Sequence, residues 1–209
     1  MGHSIKIGKL TIMRGNNKLG KVFNVSLPPR RTCDPNLPCY KAGCYGVRLY
    51  NLRKGCRDAW EANWELAMTE RVVYMESICE VVGSRKPAMF RWHVAGDIPD
   101  QPYLWQIANI AARTPDTKHL VFTKKYELLD NFVGFRIPRP KNMSIVASAW
   151  PGLAMPGVVQ NHFPVAWMKD PRNIDTRIPK SAVHCDGGCS TCGLCWKIKP
   201  GKSVYFDRH

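Results

Sequence analysis

Between residues 56 and 82, Trp60, Trp64, Met68, Val72, Met75, Cys79 and Val82 recur at three- and four-residue steps, while Glu61, Glu65, Glu70 and Glu76 fill much of the opposite side. That period predicts one long amphipathic helix whose aromatic and methionine stripe packs into a core, ended by Gly83-Ser84. Short apolar runs predict strands at 21–27, 88–94, 119–123, 143–149 and 163–168, and residues 5–14 read as a short basic strand or arm. Pro28-Pro29 stops the first core strand. Further helices are expected at 101–113, with Asp100 as N-cap and Pro102 tolerated in the first turn, and at 126–132. Residues 202–209 read as a final strand, and 136–141 and 151–164 as loops.

Strand, helix, strand is the repeating unit, so the expected class is α/β with mostly parallel strands, built as a partial (β/α) barrel or an open parallel sheet. Polar and special residues gather where strands end: cysteines after the first, His93-Val94-Ala95-Gly96-Asp97 after the second, Lys124-Lys125 after the third and Trp150-Pro151-Gly152 after the fourth. In such folds those ends form one mouth, where the chemistry sits. Residues 1–180 are expected to form the α/β domain and 181–209 a cysteine-rich extension packed on it.

Charge sharpens this picture more than composition does. A hydrophobic content of 44% over 209 residues supports a real core, and no apolar run is long enough to cross a membrane. The N-terminus lacks the apolar segment of a secretory signal, so a cytoplasmic protein with no membrane partner is expected. The net charge is +15, and residues 1–60 hold 12 Lys/Arg against two Asp, whereas 61–100 hold four against seven acids. The basic N-terminal part is therefore a candidate contact for nucleic acid or an anionic substrate. No phosphate-binding Gly-x4-Gly-Lys-Ser/Thr, dinucleotide fingerprint or HExxH is present.

Cysteine placement supplies the candidate chemistry. Cys185, Cys189, Cys192 and Cys195 are spaced x3, x2, x2 among glycines and are followed by Trp196; Cys33, Cys39 and Cys44 form a second, three-membered set. Clustered thiols in a reducing compartment point to ligation over disulfides. The absence of a long arm between pairs favours one or two 4Fe-4S clusters, with zinc as the alternative. Three thiolates leave one iron open for substrate or cofactor, although Cys56 or Cys79 would also complete a four-thiolate set.

Together, Cys33, Cys39 and Cys44-Tyr45, the central Arg91-Trp92-His93-Val94-Ala95-Gly96-Asp97, and the terminal cysteine quartet with Trp196 resemble the bacteriophage gene product 88 family. More distantly the layout resembles radical SAM iron-sulfur proteins. That resemblance implies a radical SAM-like barrel with a C-terminal cluster loop, in which Cys33, Cys39 and Cys44 hold the open cluster. Gly96 and Asp97 would meet the amino group of S-adenosylmethionine, and Tyr45 its adenine. The loop spacing, x5 then x4 with the tyrosine after the last cysteine, departs from that superfamily's pattern.

Two functional classes follow. The first is a noncatalytic iron-sulfur protein, in the host cytoplasm if phage-encoded, that binds nucleic acid or a host protein, with clusters as structural or redox elements; a zinc-stabilised nucleic-acid-binding protein is its variant. The second is an enzyme cleaving S-adenosylmethionine, with His93, Asp97 and Lys124 as catalytic candidates at the mouth.

Overall fold

A computed structural model describes residues 4–15, 19–170 and 178–207. The chain opens with a hairpin, β1 (Ser4–Ile7) and β2 (Leu10–Met13), turned at Gly8 with φ +54°, and continues into β3 (Phe23–Val25). Residues 5–14 are thus two paired strands. The cysteine-bearing stretch that follows holds three helices, α1 (Pro29–Thr32), α2 (Pro38–Lys41) and α3 (Tyr45–Leu52). Beyond it come α4 (Lys54–Thr69), α5 (Arg71–Arg85), β4 (Met89–Trp92), α6 (Gln101–Arg113), β5 (Lys118–Thr123), α7 (Tyr126–Gly134) and β6 (Met143–Ala149). The chain then forms α8 (Gly157–His162), β7 (Val165–Lys169), β8 (Val183–His184), α9 (Cys189–Cys192), a single 3-10 turn over Leu194–Trp196, and β9 (Ser203–Asp207).

The long helix expected over 56–82 is two helices. Glu70 adopts φ −137°, ψ 54° and separates α4 from α5. Just before it the Thr69 hydroxyl donates to the Glu65 carbonyl at 2.9 Å, a side-chain bond of the kind that competes with continued helix. Just after it, Arg71 forks onto both Asp100 oxygens at 2.9 and 2.7 Å. The break resets the phase of the stripe. Val72 is left 69% exposed, while Tyr74, Met75, Ile78, Val81 and Val82 turn inward. Asp100 does cap α6, accepting from the Tyr103 N–H at 2.9 Å. The stretch 151–164, expected as loop, contains α8.

All the strands join one sheet in the order β1-β2-β3-β4-β5-β6-β7-β9-β8. β1, β2 and β3 pair antiparallel, and every later pairing is parallel. The sheet is open and mixed. The α/β class and the open sheet agree with expectation, whereas the radical SAM-like partial barrel is not what the chain builds, and the segment carrying the last cysteines is a short helix and turn. The final strand lies between β7 and β8; Arg208 and His209, included in its expected span, are outside the described residues.

Because β3 to β7 follow one another in sheet order, right-handed crossovers put every connecting helix on the same face. Side-chain alternation agrees. Val25, Phe90, Trp92, Val121, Ile145 and Ala147 pack with residues of α4 to α8 in the main core, whereas Leu120, Val146, Ala166 and Val204 point the other way, to a smaller core with Trp196. That second face receives no long helix. Trp196, anchored by its Nε1–H to the Phe90 carbonyl at 3.3 Å, brings the C-terminal segment across it.

A buried polar chain ties the sheet to α6. The Trp92 indole donates to His119 Nδ1 at 3.2 Å, so the His119 proton sits on Nε2 and is given to the Thr114 hydroxyl at 2.9 Å, which donates to the Ile110 carbonyl at 2.7 Å. Burial pushes the His119 pKa down to about 4. The folded state therefore binds fewer protons than the unfolded chain between the two pKa values, and the His119 contribution is complete above pH 6.5 and lost as pH falls toward 4. At about 1.4 kcal/mol per unit, roughly 2–3 kcal/mol disappears between pH 6.5 and 4.5. Urea unfolding of the parent and His119→Asn at pH 7 and 4.5 checks this: the stability deficit of the variant shrinks at the lower pH, and an equal deficit at both contradicts it.

Candidate functional site

Where β3 and β4 end, their continuations run side by side. The His93 N–H donates to the Val25 carbonyl at 2.9 Å, the Leu27 N–H to the Ala95 carbonyl at 3.2 Å, and the Ala95 N–H to the Ser26 hydroxyl at 3.2 Å. Gly96, at φ +81°, lies so close to this neighbour that a Cβ would stand 2.5 Å from the Leu27 carbonyl oxygen and 2.8 Å from Thr32 Oγ1. Thr32 Oγ1 in turn receives the Asp97 N–H at 3.0 Å and donates to the Pro28 carbonyl at 3.0 Å. Asp97 then closes the arrangement. Its Oδ1 accepts from the Ile98 N–H at 2.7 Å and its Oδ2 from the Lys124 N–H at 3.0 Å, fastening the end of β4 to the end of β5. Burial raises its pKa, opposed first by the backbone bond from Lys124.

These strand ends and the face opposite the long helices together bound a cleft of about 310 Å³. Tyr45, His93, Gly96, Asp97 and Lys124, read from sequence as site residues, all line it, as do Cys33, Cys39, Cys44, Cys185, Cys189 and Cys195. Cys192 is exposed and stands outside the lining; Cys79 lies in the main core on α5 and Cys56 on α4. Residues 29–46 and 185–196 thus face each other across one cleft, although far apart in the chain.

Its electrostatics are lopsided. Asp97 is the single carboxylate of the lining, against Arg91 and Lys124. Burial pushes the Cys33 thiol up to about 12, with the Asp97 charge adding to it, and burial likewise takes Cys195 to about 12 against the opposing pull of Arg91. Cys39 is raised too, by burial, against Lys124. These thiols are neutral at neutral pH. His93 is 3% exposed, holds φ +54°, and finds no hydrogen-bond partner for either ring nitrogen; burial lowers its pKa to about 3, so it is a neutral imidazole.

Arg91 is the residue that sequence reading passed over. It sits on β4 with its side chain on the face opposite the long helices, Cζ 4.7 Å from the Phe122 ring centroid, opening onto the cleft while its Nε is shut off from solvent without a partner. Burial lowers its pKa, opposed by Cys189 and Cys195. The signal was present in Phe90-Arg91-Trp92, where a lone charge interrupts an apolar strand. At the rim, Lys124 Nζ lies 5.6 Å from the Trp150 ring centroid, and Tyr45, 45% exposed, opens α3.

Residues 9–198, most of the chain, match the family described as Gene product 88. The chain belongs to the Gene product 88 family. No curated protein and no solved structure matches this Gene product 88 chain, and nothing found links it to radical SAM proteins.

The expected metal chemistry needs correction. Among the described residues no three His, Cys, Asp or Glu side chains are grouped to hold a metal ion, which overturns the assignment of Cys33, Cys39 and Cys44, and of Cys185, Cys189, Cys192 and Cys195, as iron-sulfur or zinc ligands. With the open iron goes the expected role for S-adenosylmethionine, and with both go the iron-sulfur binder, the radical enzyme and the zinc-stabilised protein. The physical reason is that sequence spacing fixes how close cysteines are along the chain, not where the thiols point. Here six of the seven line one cleft without any three of them meeting at a point that could hold a metal ion. None of the nine cysteines is in a disulfide. No helix of the described residues is long and apolar enough to cross a membrane.

The turn at Gly96 carries the cleft's shape, so Gly96→Ala is expected to cost about 2–3 kcal/mol through positive φ and the close approach to Leu27 and Thr32. Chemical denaturation measures it. A stability equal to the parent would mean that this turn does not fix the strand ends.

Proposed function

We propose that this protein is a ligand-binding protein whose cleft takes a small molecule combining an anionic group with a planar apolar part. The observation that carries the reading is the Arg91 guanidinium, whose Nε is buried and unpartnered and which forms no ion pair with a described carboxylate. A desolvated cation without a counter-charge is costly. Its contact with Phe122 recovers about 0.5–2 kcal/mol. An anion entering from the cleft supplies the counter-charge. Lys124 is the second positive contact, and Trp150 and Tyr45 offer flat surface at the rim for the apolar part.

The remaining residues support rather than compete with this role. His93, a neutral imidazole with both ring nitrogens buried, lines the wall without adding charge. Asp97 acts through the Lys124 backbone and the Gly96 turn, so it is a positioning residue. A cleft of this volume falls at the lower end of small-molecule sites.

The test uses phenyl phosphate and inorganic phosphate as probes. Phenyl phosphate is expected to raise the parent's melting temperature saturably, since a ligand at about a hundred times its Kd stabilises by about 2.7 kcal/mol. Arg91→Met removes the unpaired charge and keeps the length. The unliganded variant is expected to be more stable than the parent by about 1–3 kcal/mol and to lose the phenyl phosphate effect. A variant that is less stable, or that responds to phenyl phosphate as the parent does, contradicts the proposal.

A further inference from the structure

We infer that the anion this cleft accepts is one nucleotide of a single-stranded nucleic acid, its base received at Trp150 and its neighbouring phosphates laid along the outer surface of α3. The inference rests on the anion-binding reading of the cleft and specifies the ligand's class.

Three features outside the cleft carry it. First, α3 starts at the lip with Tyr45, and its next same-side positions are Arg48, Asn51 and Leu52, three and four residues on. Arg30, from the neighbouring α1, donates to Asn51 Oδ1 at 2.8 Å and lies 5.4 Å from the Tyr50 ring centroid, which puts a second guanidinium against α3. Second, these charges are unspent. Arg30, Arg48 and Arg53 form no ion pair with a described carboxylate, whereas Arg31 and Lys54 are paired with Glu61 and Asp58. Third, the stripe extends away from the mouth. Seven residues of helix cover about 10 Å, farther than the phosphate of a nucleotide seated in the cleft would reach, so a second backbone phosphate is needed to use it.

The chemistry at the mouth selects among polyanions. A cation held over an aromatic ring beside a basic track is how single-strand sites combine base stacking with backbone attraction. A duplex keeps its bases stacked inside and presents no free base to an enclosed cleft. An acidic peptide has the charge but no flat face for Trp150.

Binding of a fluorescently labelled short oligothymidylate or oligouridylate, followed by anisotropy at several salt concentrations, tests this on the full chain. The expected result is saturable binding that weakens steeply with salt. Affinity should fall by about tenfold or more in Trp150→Ala while Trp150→Phe retains most of it, because stacking is kept. Arg30→Glu with Arg48→Glu is expected to weaken the oligonucleotide while leaving phenyl phosphate unchanged, and Arg91→Met to weaken both. Equal competition by duplex or polyglutamate, or indifference to Trp150→Ala, overturns the inference in favour of surface charge alone. Thymidine monophosphate binding as tightly as the strand overturns it in favour of a free-nucleotide site. If phenyl phosphate binds and the strand does not, the inference falls and the anion site stands; if neither binds, the anion site falls with it.

Discussion

An arginine is placed on β4 where an apolar side chain would satisfy the sheet, and no described carboxylate answers it. The guanidinium is half-buried against the Phe122 ring, and its Nε has no partner. Proteins seldom leave a cation in that condition, because desolvation costs more than one aromatic contact returns. The cleft in front of it is where an outside charge has access. The proposed function depends on that imbalance.

The fold explains why such a place exists. A parallel sheet whose strands follow chain order collects its connecting helices on one side. On the other side, Leu120, Val146, Ala166 and Val204 pack with Leu19, Val22 and Trp196, and part of the face is left open to the cleft. The open part is bounded by the strand ends, where Gly96 and Asp97 hold the turn after β4 against both β3 and β5. Cleft and scaffold are therefore products of one topology. The hairpin of β1 and β2 is held in the same way from the helical side: the buried Asn63 amide of α4 accepts from the Thr11 N–H at 2.8 Å and donates to the Thr11 and Ser26 carbonyls at 3.0 and 3.1 Å.

Much of this was legible in the amino-acid pattern, and the failures have physical causes. Strands flanked by turn residues and the capped helix beginning after Asp100 declare themselves locally, and the gathering of His93, Gly96, Asp97 and Lys124 at strand ends follows from the α/β alternation. The split of the 56–82 helix was hidden because period alone does not reveal a one-residue break at Glu70, although the exposed Val72 records the lost phase. The helix α3 was hidden among cysteines that drew attention to ligation. Metal assignment failed for a related reason: thiol spacing along a chain carries no information about the direction of each side chain in three dimensions. Arg91 was readable as a charge inside an apolar strand, but its meaning required knowing which face it occupies.

The most direct measurement is nitrogen-15 NMR of the Arg91 Nε–H, assigned by comparison with Arg91→Met, during titration with phenyl phosphate. The account predicts a slowly exchanging proton in the ligand-free protein, consistent with burial, and a saturable shift of this resonance larger than that of the rim arginines. A resonance that stays still while phenyl phosphate binds elsewhere would contradict it.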